Sequence, residues 1–138
     1  MAGGRLAVCR AAPARVILLD TNAVIWLHRG HPRGRALRKA ATSLYASPAS
    51  LLEIAFLIEA GKLQLRSGSA VSDLLGDTRW LLDDPPSGAW FTRAAEVGWT
   101  RDPFDRLIVA HALLRGWRLA TGDAALARRL GPQHALEL

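Results

Sequence analysis

The run RVILL at Arg15–Leu19 constrains the fold more than any other stretch of this chain. Its last four residues are apolar without interruption and rich in β-branched side chains. They stop at Asp20-Thr21-Asn22, residues whose short polar side chains start helices well. A buried strand running directly into a helix is the simplest reading. The same grammar recurs downstream. Arg118–Thr121 reads as a strand leading into Gly122-Asp123 and a helix Ala124–Leu130, and Ser43–Ala46 reads as a short strand before a helix Pro48–Ala60. Strands alternating with helices predict an α/β fold, a central parallel sheet flanked by helices on both faces.

Between these anchors the pattern predicts helices at Asn22–His28, Arg35–Ala41, Val71–Leu75, Ala89–Val97 and Pro103–Arg115, the last ending at Gly116. Leu51, Ile54, Ala55 and Ile58 fall on one face of the Pro48–Ala60 helix, which Ser50-x-x-Glu53 opens in capping-box pattern and Gly61 closes. Trp80–Leu82 is expected to be a short strand, Asp83–Gly88 a loop enforced by two prolines, and His134–Leu138 a last extended segment. With 138 residues, half of them apolar, the chain holds one domain, expected over residues 15–138 behind a flexible N-terminal tail at residues 1–14. No apolar run approaches the roughly 20 residues of a membrane span. Cys9 is the only cysteine, which excludes an internal disulfide and fits a reducing, cytoplasmic setting.

Eighteen Lys and Arg against twelve Asp and Glu leave the surface basic, a field that favours polyanions or an acidic partner. Against that background the positions of the acids stand out. Asp20 and Asp123 follow directly on strand patterns, where open α/β sheets gather their ligands. Glu53 sits inside the apolar run LLEIAFL, and an unpaired buried carboxylate costs several kcal/mol. Asp102 and Asp105, three apart, project from the first turn of one helix, where its dipole favours negative charge. Carboxylates converging from four separate places repel one another, and a hard divalent cation, Mg2+ or Mn2+, is the usual resolution. Each acid also has a structural use: Asp20 and Asp102 as helix caps, Glu53 as the partner of Ser50 in its capping box, Asp123 in a turn with Gly122. If Asp102 is the cap of its helix, Asp105 is the better ligand.

The segments LLDTNAVIWL, SLLEIAFLIEAGKL, DPFDRLIVAHALLRG and LATGDAAL, in this order, resemble PIN-domain ribonucleases, in particular the VapC-type toxins of bacterial toxin–antitoxin pairs. The resemblance runs from Val16 to about Leu138. It implies a metal-dependent endoribonuclease whose acids correspond to Asp20, Glu53, Asp105 and Asp123, with Asp102 alongside, and whose Asn22 and Thr121 hold the site in shape. It also implies an RNA substrate, a cognate antitoxin partner and a homodimer.

Arg29, Arg33, Arg35, Arg38 and Lys39 follow the first helix and are candidates to guide an RNA backbone; Arg106, beside Asp105, is a candidate partner for an acid or a phosphate. His111, seven residues after Phe104 on an apolar face, reads as a hydrogen-bonded core histidine. The five tryptophans read as core or interface material. Two rival functions remain open. A haloacid-dehalogenase-type phosphatase would also place an Asp after its first strand, but position 22 is Asn where a second Asp is needed. A catalytically idle PIN-like module would bind RNA or protein without cutting, and the intact set of acids argues against it.

Overall fold

In the computed structural model, residues 15–39, 42–65 and 71–138 are described. The tail at residues 1–14, with Cys9, lies outside them. Five strands form one sheet: β1 (Arg15–Leu19), β2 (Thr42–Ala46), β3 (Leu81–Leu82), β4 (Arg118–Thr121) and β5 (Ala135–Glu137). Their order is β3-β2-β1-β4-β5 and every pairing is parallel. Among the described residues the α-helices are α1 (Thr21–Arg29), α2 (Arg35–Lys39), α3 (Pro48–Glu59), α4 (Val71–Leu75), α5 (Ser87–Ala95), α6 (Pro103–Arg115) and α7 (Ala124–Leu130).

The unbroken apolarity of β1 follows from its place at the centre of this sheet. Ile17 and Leu19 enter one core with α1–α4, through Val24, Leu27, Leu37, Ile54 and Leu74. Leu18, pointing the other way, enters a second core with Trp90, Val97, Ile108, Val109 and Leu126 from the α5–α7 side. A strand covered on both faces has no solvent side on which to place a polar residue. At the edge, β3 keeps only two residues, both exposed, and Trp80, expected to open that strand, is instead buried in the first core.

The N-termini of α3 and α5 are built differently from the sequence reading. Ser47, not Ser50, caps α3: its Oγ accepts a hydrogen bond from Ala49 N at 3.2 Å, and Pro48 occupies the first helical position. Ser50 therefore lies within the helix, and Glu53 is released from the capping box predicted for it. Helix α5 begins at Ser87, two residues before the predicted start, because Pro86 serves as its N-cap. The second helix was expected to reach Ala41; positions 40 and 41 lie outside the described residues.

Asp83 holds the loop after β3 against α6. His111 Nε2–H donates to Asp83 Oδ2 at 2.7 Å and Arg115 Nε donates to the same oxygen at 2.8 Å. His111 is fully buried, the core histidine that the sequence suggested. Trp80 and Trp90 are buried, whereas Trp99 is 37% exposed. No helix among the described residues is long and apolar enough to cross a membrane.

Candidate functional site

The sheet changes direction at β1. From β1 the chain moves to β2 and then β3 on one side, while β4 and β5 lie on the other. The crevice beyond the carboxyl ends of β1 and β4 is where this architecture opens a site. Asp20 follows the last residue of β1, and its N–H donates across to Ala120 O of β4 at 3.0 Å. Asp123 stands two residues beyond β4. Both ends of the crevice therefore carry an acid.

Three of the five candidate acids are helix caps. Ala23 N donates to Asp20 Oδ1 at 2.8 Å, opening α1. Phe104 N and Asp105 N donate to Asp102 Oδ1 at 2.8 and 3.3 Å, opening α6. Ala125 N and Leu126 N donate to Asp123 Oδ1 at 2.9 and 3.1 Å, opening α7. The bonds fix each carboxylate and aim helix N-termini at the crevice, where partial positive charge offsets part of the repulsion.

Two threonines complete the frame. Thr121, fully buried at the end of β4, hydrogen-bonds the Asp20 carboxylate, and its Oγ1 accepts from Asp123 N at 3.1 Å. One hydroxyl thus joins the two strand ends. Thr21 donates to Glu53 Oε1 and shares a 3.2 Å hydrogen bond with the Ser50 hydroxyl. Thr21 was missed as a site residue. Its signal was only its place beside Asp20, and its partners lie 29 and 32 residues away.

The electrostatics show that these acids share one field. Burial pushes the Asp105 carboxyl up to about 7, and the charges of Asp102, Glu53, Asp123 and Asp20 add to the rise. Burial likewise raises Glu53, against the Thr21 hydrogen bond, with Asp102 and Asp20 pushing the same way. Burial raises Asp20 too, opposed by its bonds to Thr121, Ala23 and Gly122 and reinforced by Asp123. Among the described residues, no three His, Cys, Asp or Glu side chains close into a ready-made ligand cage. The donor set nevertheless suits a hard divalent cation: it offers only oxygens, its members repel one another, and Asp105 is held where a positive charge would lower its proton affinity.

The other predicted residues divide. Asn22 is exposed on the first turn of α1, and among the described residues no hydrogen bond joins it to an acid. Arg33 reaches the site's edge: its guanidinium donates to Gly122 O at 3.4 Å and Leu138 O at 2.9 Å, and lies 4.3 Å from the Trp26 ring centre. Gly122 is required there, since a Cβ would fall 2.2 Å from Trp26 Cη2. Arg29 donates to Gln64 O and Arg106 Nε to Thr100 O, at 3.3 and 2.7 Å. Arg106 therefore meets a backbone carbonyl rather than an acid. Arg35 and Arg38 are exposed along α2, which Lys39 ends.

The PIN domain family model matches residues 17–130. Among solved structures, the chain is similar to a toxin–antitoxin complex from Klebsiella pneumoniae, with 19% identity and a TM-score of 0.60 over 88% of this chain and 99% of that one. It is also similar to VapBC2 from Rickettsia felis bound to a DNA fragment from their promoter, with 19% identity and a TM-score of 0.61 over 88% and 97% of the two chains. At that identity the likeness is one of fold. No curated protein matches the chain.

Proposed function

Because the chain belongs to the PIN-domain family, we propose that it is a metal-dependent endoribonuclease acting as the toxin of a type II toxin–antitoxin pair. The observation that carries this reading is the shared field of Asp20, Glu53, Asp102, Asp105 and Asp123, five acids from four separate parts of the chain around one crevice of a basic protein. A purely structural use explains the three caps. It does not explain Glu53 and Asp105, which cap nothing and are raised by burial and then by their neighbours' charges.

These acids would hold Mg2+, with Mn2+ as a substitute. When bound, the ion supplies an activated water and offsets charge on a phosphodiester. The chain's own residues set the frame. Thr121 and the first turn of α1 fix the Asp20 carboxylate, Thr21 orients Glu53, and the α6 N-terminus presents Asp102 and Asp105 together. Arg33, seated on Trp26, is placed to meet the RNA backbone at the crevice edge, and the exposed Arg35 and Arg38 extend the basic path along α2. The antitoxin partner is supported by the fold shared with the Klebsiella and Rickettsia proteins.

The test is cleavage of a mixed cellular RNA pool by purified protein with Mg2+, Mn2+ or EDTA, with the Asp20→Asn/Asp105→Asn double variant alongside. Cutting that needs both metal and acids is expected. A double variant that cuts as fast as wild type would refute the reading. Co-expression with the neighbouring gene product tests the toxin assignment separately, through rescue of growth.

A further inference from the structure

A cleft of about 550 Å3 opens between α3 and α6, within the range of ligand-binding clefts. Glu53 and Asp102 form part of its wall, so it is continuous with the acid crevice. The rest is unlike that crevice. Phe56, 53% exposed, meets Phe104 edge to face, with ring centres 5.5 Å apart and planes at 86°, and Leu57 lies beside them. Phe56 stays half-exposed on a helix whose Ile54, two residues earlier, is fully buried.

The charge around the cleft selects its occupant. Glu59 joins Glu53 and Asp102 at the wall, and among the described lining residues Lys62 is the one cation. Three carboxylates against one ammonium disfavour a phosphate. An uncharged planar group with a π face suits the two rings. Because Glu53 and Asp102 wall this cleft, its occupant lies beside whatever the acids process. We propose that the cleft takes the nucleobase next to the scissile phosphate of a single-stranded RNA, with Phe56 as its stacking platform and Phe104 bracing that ring. Lys62, among the lining residues, would meet the next phosphate. The proposal rests on the nuclease reading of the acids.

Single-stranded RNA is recognised by unstacked bases laid on aromatic side chains. The experiment begins from the bond mapped in the RNA pool and places 2-aminopurine on either side of it in a short oligonucleotide. Wild type, Phe56→Ala and Phe56→Trp are compared, with thermal melting to show that each is folded. Phe56→Ala is expected to raise KM roughly tenfold, the low end of base–aromatic stacking, with a smaller change in kcat. It should also lose the fluorescence quench at one of the two positions, and Phe56→Trp should restore both. An unchanged KM and quench in Phe56→Ala, with wild type still cutting, would overturn the proposal and leave the nuclease standing. Loss of self-association by Phe56→Ala with RNA kinetics intact would also overturn it, assigning the ring to a protein contact. A wild type that cuts no RNA with any metal would overturn both.

Discussion

If Asp105 serves the site rather than the fold, replacing it with Asn should stabilise the metal-free protein while abolishing cleavage. Its carboxyl rises from 3.8 to about 7 through burial and then through four neighbouring acids. At about 1.36 kcal/mol for each tenfold change in proton affinity, the ionised form costs the fold at most ~4 kcal/mol. Asp105 is only partly buried, so solvent screening reduces this to ~1–2 kcal/mol. The sign follows from linkage. Between the two values the unfolded chain has released the proton and the folded chain still holds it, so stability falls as pH rises from about 4 and levels off above about 7. Thermal unfolding in EDTA should therefore find Asp105→Asn more stable than wild type at pH 8, by roughly 3–8 °C in Tm, with the gap closing toward pH 4. Saturating Mg2+ should stabilise wild type more than the variant. A variant that is equal or weaker at pH 8, or a gap that ignores pH, would refute the reasoning.

Three further outcomes follow from particular contacts. Gly122→Ala places a Cβ 2.2 and 2.6 Å from two Trp26 ring carbons and should cost ~1–3 kcal/mol, read as a lowered Tm; no change would show that the loop yields freely. Thr121→Val removes the hydroxyl that joins Asp20 to Asp123 and should lower kcat at least tenfold in about 1–3 kcal/mol of lost polar contacts, with Thr121→Ser recovering most of it and circular dichroism unchanged. Asp83→Ala strips the fully buried His111 of its partner and should destabilise by ~2–4 kcal/mol in urea at pH 7. Burial raises the Asp83 carboxyl but the Arg115 and His111 bonds outweigh it and hold it low, so this contribution is complete above the ordinary carboxylate range and lost as pH falls through the lowered value. The deficit of Asp83→Ala should accordingly shrink in acid.

The sheet was legible where burial on two faces removes every polar residue from a strand, as in Val16–Leu19, and where a strand runs straight into a capping acid, as at Asp20. Legibility failed where a local rule had two solutions. Both Ser47 and Ser50 can cap α3; Ser50 matches the capping box, but Pro48 already marked Ser47, since a first-turn proline has no N–H to satisfy. Edge strand β3 was blurred because Trp80 belongs to the core rather than the sheet. Contacts between distant segments carry no local signal at all, which is why the Thr21–Glu53 bond and the Phe56–Phe104 pair emerge only from the fold.

The sequence poses a choice between cap and ligand for Asp20 and Asp102, and between turn and ligand for Asp123; all three are caps. Two helix N–H groups converge on Oδ1 at Asp102 and at Asp123, and one meets Oδ1 at Asp20, so the helix engages one oxygen of each carboxylate. Helix N-termini then surround the crevice with partial positive charge, which lets a metal-free chain bring acids together that would otherwise drive one another apart. That compensation is partial, because caps neutralise only within the first turn. The uncompensated remainder shows in Asp20, Glu53 and Asp105, which burial and then their neighbours' charges raise, and the last two make no cap. A scaffold requirement would have distributed such acids to solvent. Holding Glu53 and Asp105 half-buried, within α3 and in the first turn of α6, is destabilising; on the proposed reading a bound cation would offset that cost, so the same residues that weaken the fold are those on which the chemistry should depend.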